Sequence, residues 1–101
     1  MVTRYSVSEN RRDTPMTTVM IFHEVDDVAH WLGSPKREEA FGPLGISVRT
    51  FVDPQGTNRV GLLAEVPDMD ALTAFLQSET AAAAMKYDGV RPETIVMLVA
   101  S

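Results

Sequence analysis

The sequence predicts an α+β domain in the order strand, helix, strand, strand, helix, strand, and three observations predict it. First, residues 17–25 and 94–100 are apolar at nearly every position, as in strands covered on both faces. Second, the middle of the chain alternates apolar and polar residues on either side of a turn. Third, two stretches with helical spacing separate these strands. Helices on one face leave the other face of the sheet bare, so the sequence also predicts a homodimer that packs sheet to sheet.

The first strand becomes polar on both faces at its C-terminal end. Side chains alternate along a strand, so His23 follows Val19 and Ile21 on one face, while Glu24 follows Phe22 on the other. This end of the strand is where a functional site is expected.

The first helical region is predicted to be broken. Asp26 or Asp27 can serve as an N-cap, and Gly33 ends a short helix. Pro35 then opens a second helical piece, which is predicted to end near Phe41.

The pattern in the middle of the chain predicts a β-hairpin. Residues 46–52 alternate as in a half-covered strand, residues 53–56 supply turn chemistry, and the return strand is predicted over residues 59–66. Arg49 and Glu65 fall on the less apolar faces of these strands. An ion pair between them, across the strands or between subunits, is therefore predicted.

The second helical region also has clear end signals. Asp68 caps one helix, Ser78 opens a further piece that runs to Met85, and Gly89 suits a left-handed C-cap before the last strand. The resulting βαββαβ order predicts a ferredoxin-like, four-stranded antiparallel sheet with its helices on one face.

Length and composition limit the domain organisation and the partners. A chain of 101 residues makes one domain, assigned to residues 16–101, and the polar residues 1–15 are predicted to form a flexible tail or an arm over the partner. A net charge of −5 and the lack of a basic cluster argue against nucleic acid. There are no cysteines and no run of membrane-spanning length, so a cytoplasmic protein is expected.

Three stretches carry a resemblance to a known superfamily. They are VDDVAHWLGSPKREEAF, FVDPQGTNRVGLLAEVPD and SETAAAAMKYDGV. Together, over residues 17–99, they resemble the small dimeric α+β-barrel proteins, a group that includes antibiotic-biosynthesis monooxygenases, YciI-like proteins and many uncharacterised domains. The resemblance implies two sheets packed face to face in a dimer, with a cavity between each sheet and its helices. It implies no particular catalytic residue.

The sequence does not predict a metal site. His23, Glu24 and His30 are suitable ligands for zinc or iron. However, His23 and Glu24 are adjacent on a strand and point to opposite faces, so they cannot bind one metal without a bulge. No cofactor fingerprint is present either, and no cofactor is predicted.

A pocket for a flat organic molecule is the alternative site. Its candidate lining is a set of large apolar side chains: Trp31, Phe41, Phe51, Phe75 and Met85. His23 or His30 would accept a proton, and Tyr87 would orient the ligand as a hydrogen-bond donor. In a small domain, the same side chains could instead simply form the core.

The sequence is therefore compatible with two functions. The first is a non-catalytic dimeric module that binds a small molecule or another protein. The alternative is a cofactor-independent monooxygenase, cyclase or isomerase that acts on a small aromatic or polyketide-like substrate with a histidine base. An inward-facing histidine in an enclosed cavity would favour chemistry.

Overall fold

A computed structural model describes residues 16–101, so the predicted tail of residues 1–15 lies outside the described residues. The helices and strands follow in the order β1 (Thr17–Glu24), α1 (Val28–Gly33), α2 (Lys36–Phe41), β2 (Ser47–Val52), β3 (Arg59–Val66), α3 (Met69–Leu76), α4 (Glu79–Asp88) and β4 (Val96–Val99). Short 3-10 turns occupy Gly42–Leu44 and Pro92–Thr94. Within the described range, no helix has the length and apolarity needed to cross a membrane.

The four strands form one antiparallel sheet in the order β2-β3-β1-β4. In the register, Ile21 of β1 lies opposite Leu62 of β3 on one side and Met97 of β4 on the other. This topology confirms the predicted α+β class, with β1 inside the sheet and β4 at one of its edges.

Side-chain caps fix the helix starts that the sequence predicts. Asp27, Asp68 and Ser78 each accept a hydrogen bond from the backbone N–H three residues later, at 3.0 to 3.1 Å. Gly89 ends α4 with a φ of 73°, a left-handed conformation that glycine adopts without a steric penalty. The break between α1 and α2 is also confirmed.

The last strand is shorter than predicted. Residues 94–100 were expected to be extended, but Pro92–Thr94 forms a 3-10 turn before β4 begins. The Thr94 hydroxyl accepts a hydrogen bond from the backbone N–H of Glu24 at 2.8 Å. This side-chain contact takes the place of a backbone hydrogen bond between the strands. The pairing of β4 with β1 therefore starts at Val96, two residues after Thr94.

The two faces of the sheet differ sharply in burial. The core lies between the sheet and the helices, and its largest fully buried side chains are Trp31, Leu72, Val19, Val25 and Val66. The other face is the open face. It carries the apolar side chains of Met20, Phe22, Phe51, Leu63, Val96 and Leu98. Leu98 remains 54% exposed there. Residues 16–101 of one chain therefore do not cover both faces of the sheet.

Arg49 and Glu65 both lie on the open face but are not paired with each other in the described part of the chain. The Arg49 guanidinium lies 5.3 Å from the centre of the Phe51 ring. Glu65 Oε1 accepts a hydrogen bond from the Thr18 hydroxyl at 2.8 Å. The predicted ion pair within one chain is absent, and pairing between subunits stays a prediction.

Candidate functional site

A cavity of about 300 Å³ lies between the sheet and the helices. Most of its wall is apolar, with side chains from the sheet and from all four α-helices: Ile21, Trp31, Ala40, Phe41, Leu62, Phe75, Leu76, Ala81, Ala84, Met85, Val90, Ile95 and Met97. Four polar side chains also reach it, from His23, Lys36, Arg37 and Asp88. An apolar cavity with a few convergent polar groups is the usual form of a small-molecule site.

His23 reaches the cavity because it continues the helix-facing row of β1. Its side chain is buried, and its ring meets the Trp31 indole edge-on with centroids 5.7 Å apart. Nδ1 lies 3.5 Å from the Glu24 carbonyl oxygen. Among the described residues, His23 makes no other side-chain hydrogen bond, which leaves Nε2 without a protein partner there.

Trp31 and Arg37 form a stacked pair at the break between α1 and α2. The guanidinium carbon lies 4.4 Å from the centre of the indole, and Nη1 donates to the Trp31 carbonyl oxygen at 2.9 Å. Trp31 itself is only 1% exposed. The pair therefore joins the two short helices and places a positive charge at the cavity wall.

Asp88 ends α4 and is 4% exposed. Ala81, Ala84 and Asp88 are spaced three and four residues apart, so the carboxyl group shares the cavity-facing side of this helix. The Asp88 Oδ1 atom is buried and has no hydrogen-bond partner in the described range. The next residue, Gly89, accepts a hydrogen bond from the Asp26 backbone N–H at 2.9 Å, which fixes this end of the helix against the end of β1.

The electrostatics of the site follow from its burial. Burial is the main effect on His23, and it lowers the pKa of this residue below its usual 6.5. The Arg37 charge also lowers the pKa, whereas the hydrogen bond with Glu24 and the Asp88 charge raise it. Burial also lowers the pKa of Arg37, an effect that Asp88 opposes. Arg37 nevertheless stays charged. At neutral pH the cavity wall thus holds a neutral imidazole and the Arg37 cation, together with the Lys36 and Asp88 side chains.

The lowered pKa of His23 predicts a dependence of stability on pH. Between the pKa of His23 in the folded chain and 6.5, the unfolded chain binds more protons than the folded chain. The free energy of unfolding should therefore increase with pH over this range and decrease as the pH falls below 6.5. Urea unfolding of wild type and His23→Gln across this range measures it. The variant should lose part of the slope, whereas His30→Gln, at an exposed histidine, should keep it. Equal slopes for wild type and His23→Gln would contradict the assignment.

Five of the residues predicted for a site come together in the structure. His23, Trp31, Phe41, Phe75 and Met85 all line the cavity. Phe41 and Phe75 contact each other edge to face, with centroids 5.9 Å apart. Trp31 belongs to the buried core and Phe41 packs against it, so the packing and pocket interpretations both apply to these two residues.

Three other candidates lie elsewhere. His30 Nε2 is 2.9 Å from the Tyr87 carbonyl oxygen, and the two rings are 5.1 Å apart on the surface. Tyr87 is 51% exposed. Phe51 projects from the open face, on the opposite side of the sheet from the cavity. None of His30, Tyr87 and Phe51 therefore lines the cavity, although the Lys36 ammonium at the cavity wall lies 5.1 Å from the centre of the Tyr87 ring.

Sequence reasoning missed Arg37 and Asp88. Arg37 belongs to the charged run of residues 36–39, a pattern typical of a solvated helix face, and Asp88 is not among the candidate site residues. A signal was present for both: Arg37 precedes Ala40 and Phe41 by three and four residues, and Asp88 follows Ala84 by four. Each charged residue thus continues an apolar helical stripe.

The described part of the chain contains no group of three His, Cys, Asp or Glu side chains that could hold a metal. As predicted, His23 and Glu24 point to opposite faces of the sheet. Glu24 is instead paired with Arg91 at 3.1 Å. Arg91 also pairs with Asp26 at 3.0 Å, and the hydrogen bonds to both carboxylates raise its pKa.

A second depression, of about 490 Å³, lies by the hairpin at the end of β1, where Phe22 and Phe51 of the open face line it. Although larger, it is shallower, and its charged groups already have partners. Arg59 pairs with Asp53 at 3.0 Å, and Glu24 pairs with Arg91. The cavity on the helix side, which holds an unpartnered buried carboxyl oxygen, is therefore the better candidate site.

Comparison with known proteins identifies the fold. No protein-family model matches the sequence, and no curated protein matches it closely enough to count as a relative. Solved structures do match. An antibiotic biosynthesis monooxygenase superposes with a TM-score of 0.58 at 16% identity, over 85% of this chain and 97% of that one. A dimeric ferredoxin-like protein of unknown function from Thermobifida fusca gives 0.54 at 14% identity, over 93% and 98%.

The chain has a ferredoxin-like fold. A conserved protein of unknown function from Bacteroides thetaiotaomicron, described as a possible oxidoreductase, is also similar, with a TM-score of 0.51 at 13% identity over 87% of this chain and 96% of that one. At such identities the similarity establishes the fold alone. The resemblance read from the sequence is thus confirmed as architecture, and the ferredoxin-like neighbours are mostly proteins of unknown function.

Proposed function

We propose that this ferredoxin-like protein is a small-molecule-binding module whose site is the cavity between sheet and helices. The observation that carries the proposal is the mostly apolar cavity of about 300 Å³ into which His23, Arg37 and Asp88 converge. That volume is at the lower end of the range for ligand sites, which fits a molecule of one or two rings. Trp31, Phe41 and Phe75 offer aromatic surface for such a ring.

Filling the cavity tests this proposal. Ala84 is partly buried on the cavity side of α4, whereas Ala82 is exposed on another side of the same helix. With 2-naphthol as the probe, Ala84→Phe should weaken binding at least about tenfold because the larger ring occupies the ligand's volume. Ala82→Phe should bind as wild type does.

The measurement is calorimetric titration, supported by the fluorescence of Trp31, which is the chain's single tryptophan. Equal affinity in wild type and Ala84→Phe would place binding outside the cavity and reject the proposal. Circular dichroism of both variants checks that the fold is retained.

We also propose that two copies associate through the open face. An apolar surface of this kind is unusual on a soluble monomer. The face carries charges of both signs, Arg49 and Glu65, so a two-fold axis could bring opposite charges together. The similar protein from Thermobifida fusca is described as dimeric, which supports the same assembly here.

A catalytic role is the second candidate, and one observation favours it. His23 faces the cavity, and its lowered pKa keeps the imidazole neutral and able to accept a proton near pH 7. If the protein turns over a bound molecule, His23→Gln should abolish turnover while keeping the affinity for that molecule. The comparisons identify a fold and no reaction, so the binding module remains the first proposal.

A further inference from the structure

The unpartnered carboxyl oxygen of Asp88 indicates what kind of molecule the cavity takes. Asp88 is 4% exposed, and Oδ1 has no hydrogen-bond partner among the described residues. A buried polar atom without a partner destabilises the folded chain, and such atoms are uncommon in native proteins. This atom belongs to a residue of the cavity wall, so a bound molecule is well placed to supply the missing donor.

The surroundings of Asp88 determine how polar that molecule can be. Apart from the polar groups already named, the wall consists of aliphatic, aromatic and methionine side chains, including Phe75, Met85 and Met97. A molecule with many polar groups would lose its hydration without gaining hydrogen bonds. The cavity therefore suits a mostly apolar molecule with one donor group.

The charges around the cavity determine whether the donor is neutral or cationic. Arg37 balances Asp88, and the Lys36 ammonium lies 3.8 Å from a carboxylate oxygen of Glu39. His23 is neutral at neutral pH, so the site has no net negative charge to attract an ammonium ion. An anionic group such as a carboxylate has no hydrogen to donate to Oδ1 and would be repelled by Asp88 at that distance. A neutral hydroxyl group fits this balance best.

We propose that Asp88 is the polar anchor of the cavity and selects a neutral, mostly apolar ring compound whose hydroxyl group donates a hydrogen bond to Oδ1. This inference rests on the proposed binding function and names the ligand class for that site. Asp88 acts here as a specificity-determining residue, and no chemical step is assigned to it.

Three probes of similar size test the inference with the full wild-type chain at neutral pH. They are 2-naphthol, its methyl ether 2-methoxynaphthalene, and 2-naphthylmethylamine. We expect calorimetry to show 2-naphthol binding about tenfold more tightly than the ether, which lacks the donor, because a hydrogen bond to a charged group typically provides such a difference. The amine should bind no more tightly than 2-naphthol.

Two variants then locate the preference. Asp88→Leu removes the acceptor at similar size, and the preference for 2-naphthol over the ether should disappear. Asp70→Leu, which removes an exposed carboxylate on α3, should keep the preference. If Asp88→Leu does not fold, the near-isosteric Asp88→Asn should still reduce the preference severalfold, because a neutral acceptor forms a weaker hydrogen bond.

The outcomes separate this inference from the function on which it rests. If none of the three probes binds wild type, the binding function fails and the inference fails with it. If naphthol and ether bind equally in the cavity, the binding function stands but the role of Asp88 is rejected. A clear preference for the amine would also reject it, in favour of a cation site.

Discussion

Val96→Glu is expected to convert the protein from a dimer to a monomer. Val96 lies opposite Phe22 on the open face and is 52% exposed in the single chain. In the proposed dimer this position is covered, so a carboxylate there would lose its hydration without a partner. We expect the dissociation constant to rise about a hundredfold or more. Sedimentation equilibrium at micromolar concentration measures it.

Val99→Glu provides the matched control. Val99 lies in the same strand and is 49% exposed, but it sits opposite Val19 on the helix side of the sheet. The same charge there should leave the dimer intact. A wild-type protein that sediments only as a monomer, or a dimer that both substitutions weaken equally, would contradict the proposed interface.

Trp31→Ala is expected to destabilise the folded chain strongly. The indole is 1% exposed, packs against the His23 ring and carries the stacked Arg37 guanidinium. Truncating a buried tryptophan costs about 3–5 kcal/mol, because apolar contacts are lost and a cavity remains. The total free energy of unfolding of a small domain is only about 5–15 kcal/mol, so the variant should unfold at a much lower urea concentration than wild type.

Leu32→Ala is the control for that experiment. Leu32 is the next residue in α1 and is 45% exposed, so its truncation should cost less than about 1 kcal/mol. Far-UV circular dichroism must follow both transitions, since Trp31→Ala removes the only tryptophan. A cost for Trp31→Ala no greater than that for Leu32→Ala would show that the indole is not a main part of the core.

Most of the fold could be predicted because its signals are local. The alternation in residues 59–66 predicts a strand with the bounds of β3, and the caps at Asp27, Asp68 and Ser78 lie where side-chain oxygens can reach free backbone N–H groups. The start of β4 could not be predicted. It depends on Thr94 bonding to Glu24, which lies 70 residues away in the chain.

The candidate site was only partly predictable for a similar reason. His23 is placed by strand alternation, which fixes its face from the neighbouring Ile21. Arg37 and Asp88 are charged, and charged residues usually face solvent, so their position depends on how α2 and α4 pack over the sheet. The same packing leaves His30 and Tyr87 together on the surface.

The sequence by itself therefore determined the order of the elements, the helix caps, the face of β1 that His23 shares with Ile21 and the apolar character of both sheet faces. Those properties depend on spacing and on contacts between residues a few positions apart. Only the tertiary structure decided that Arg37 and Asp88 converge on one cavity and that Phe51 lies outside it. Side chains from distant helices and strands meet in a way that depends on packing in three dimensions, which no local pattern records.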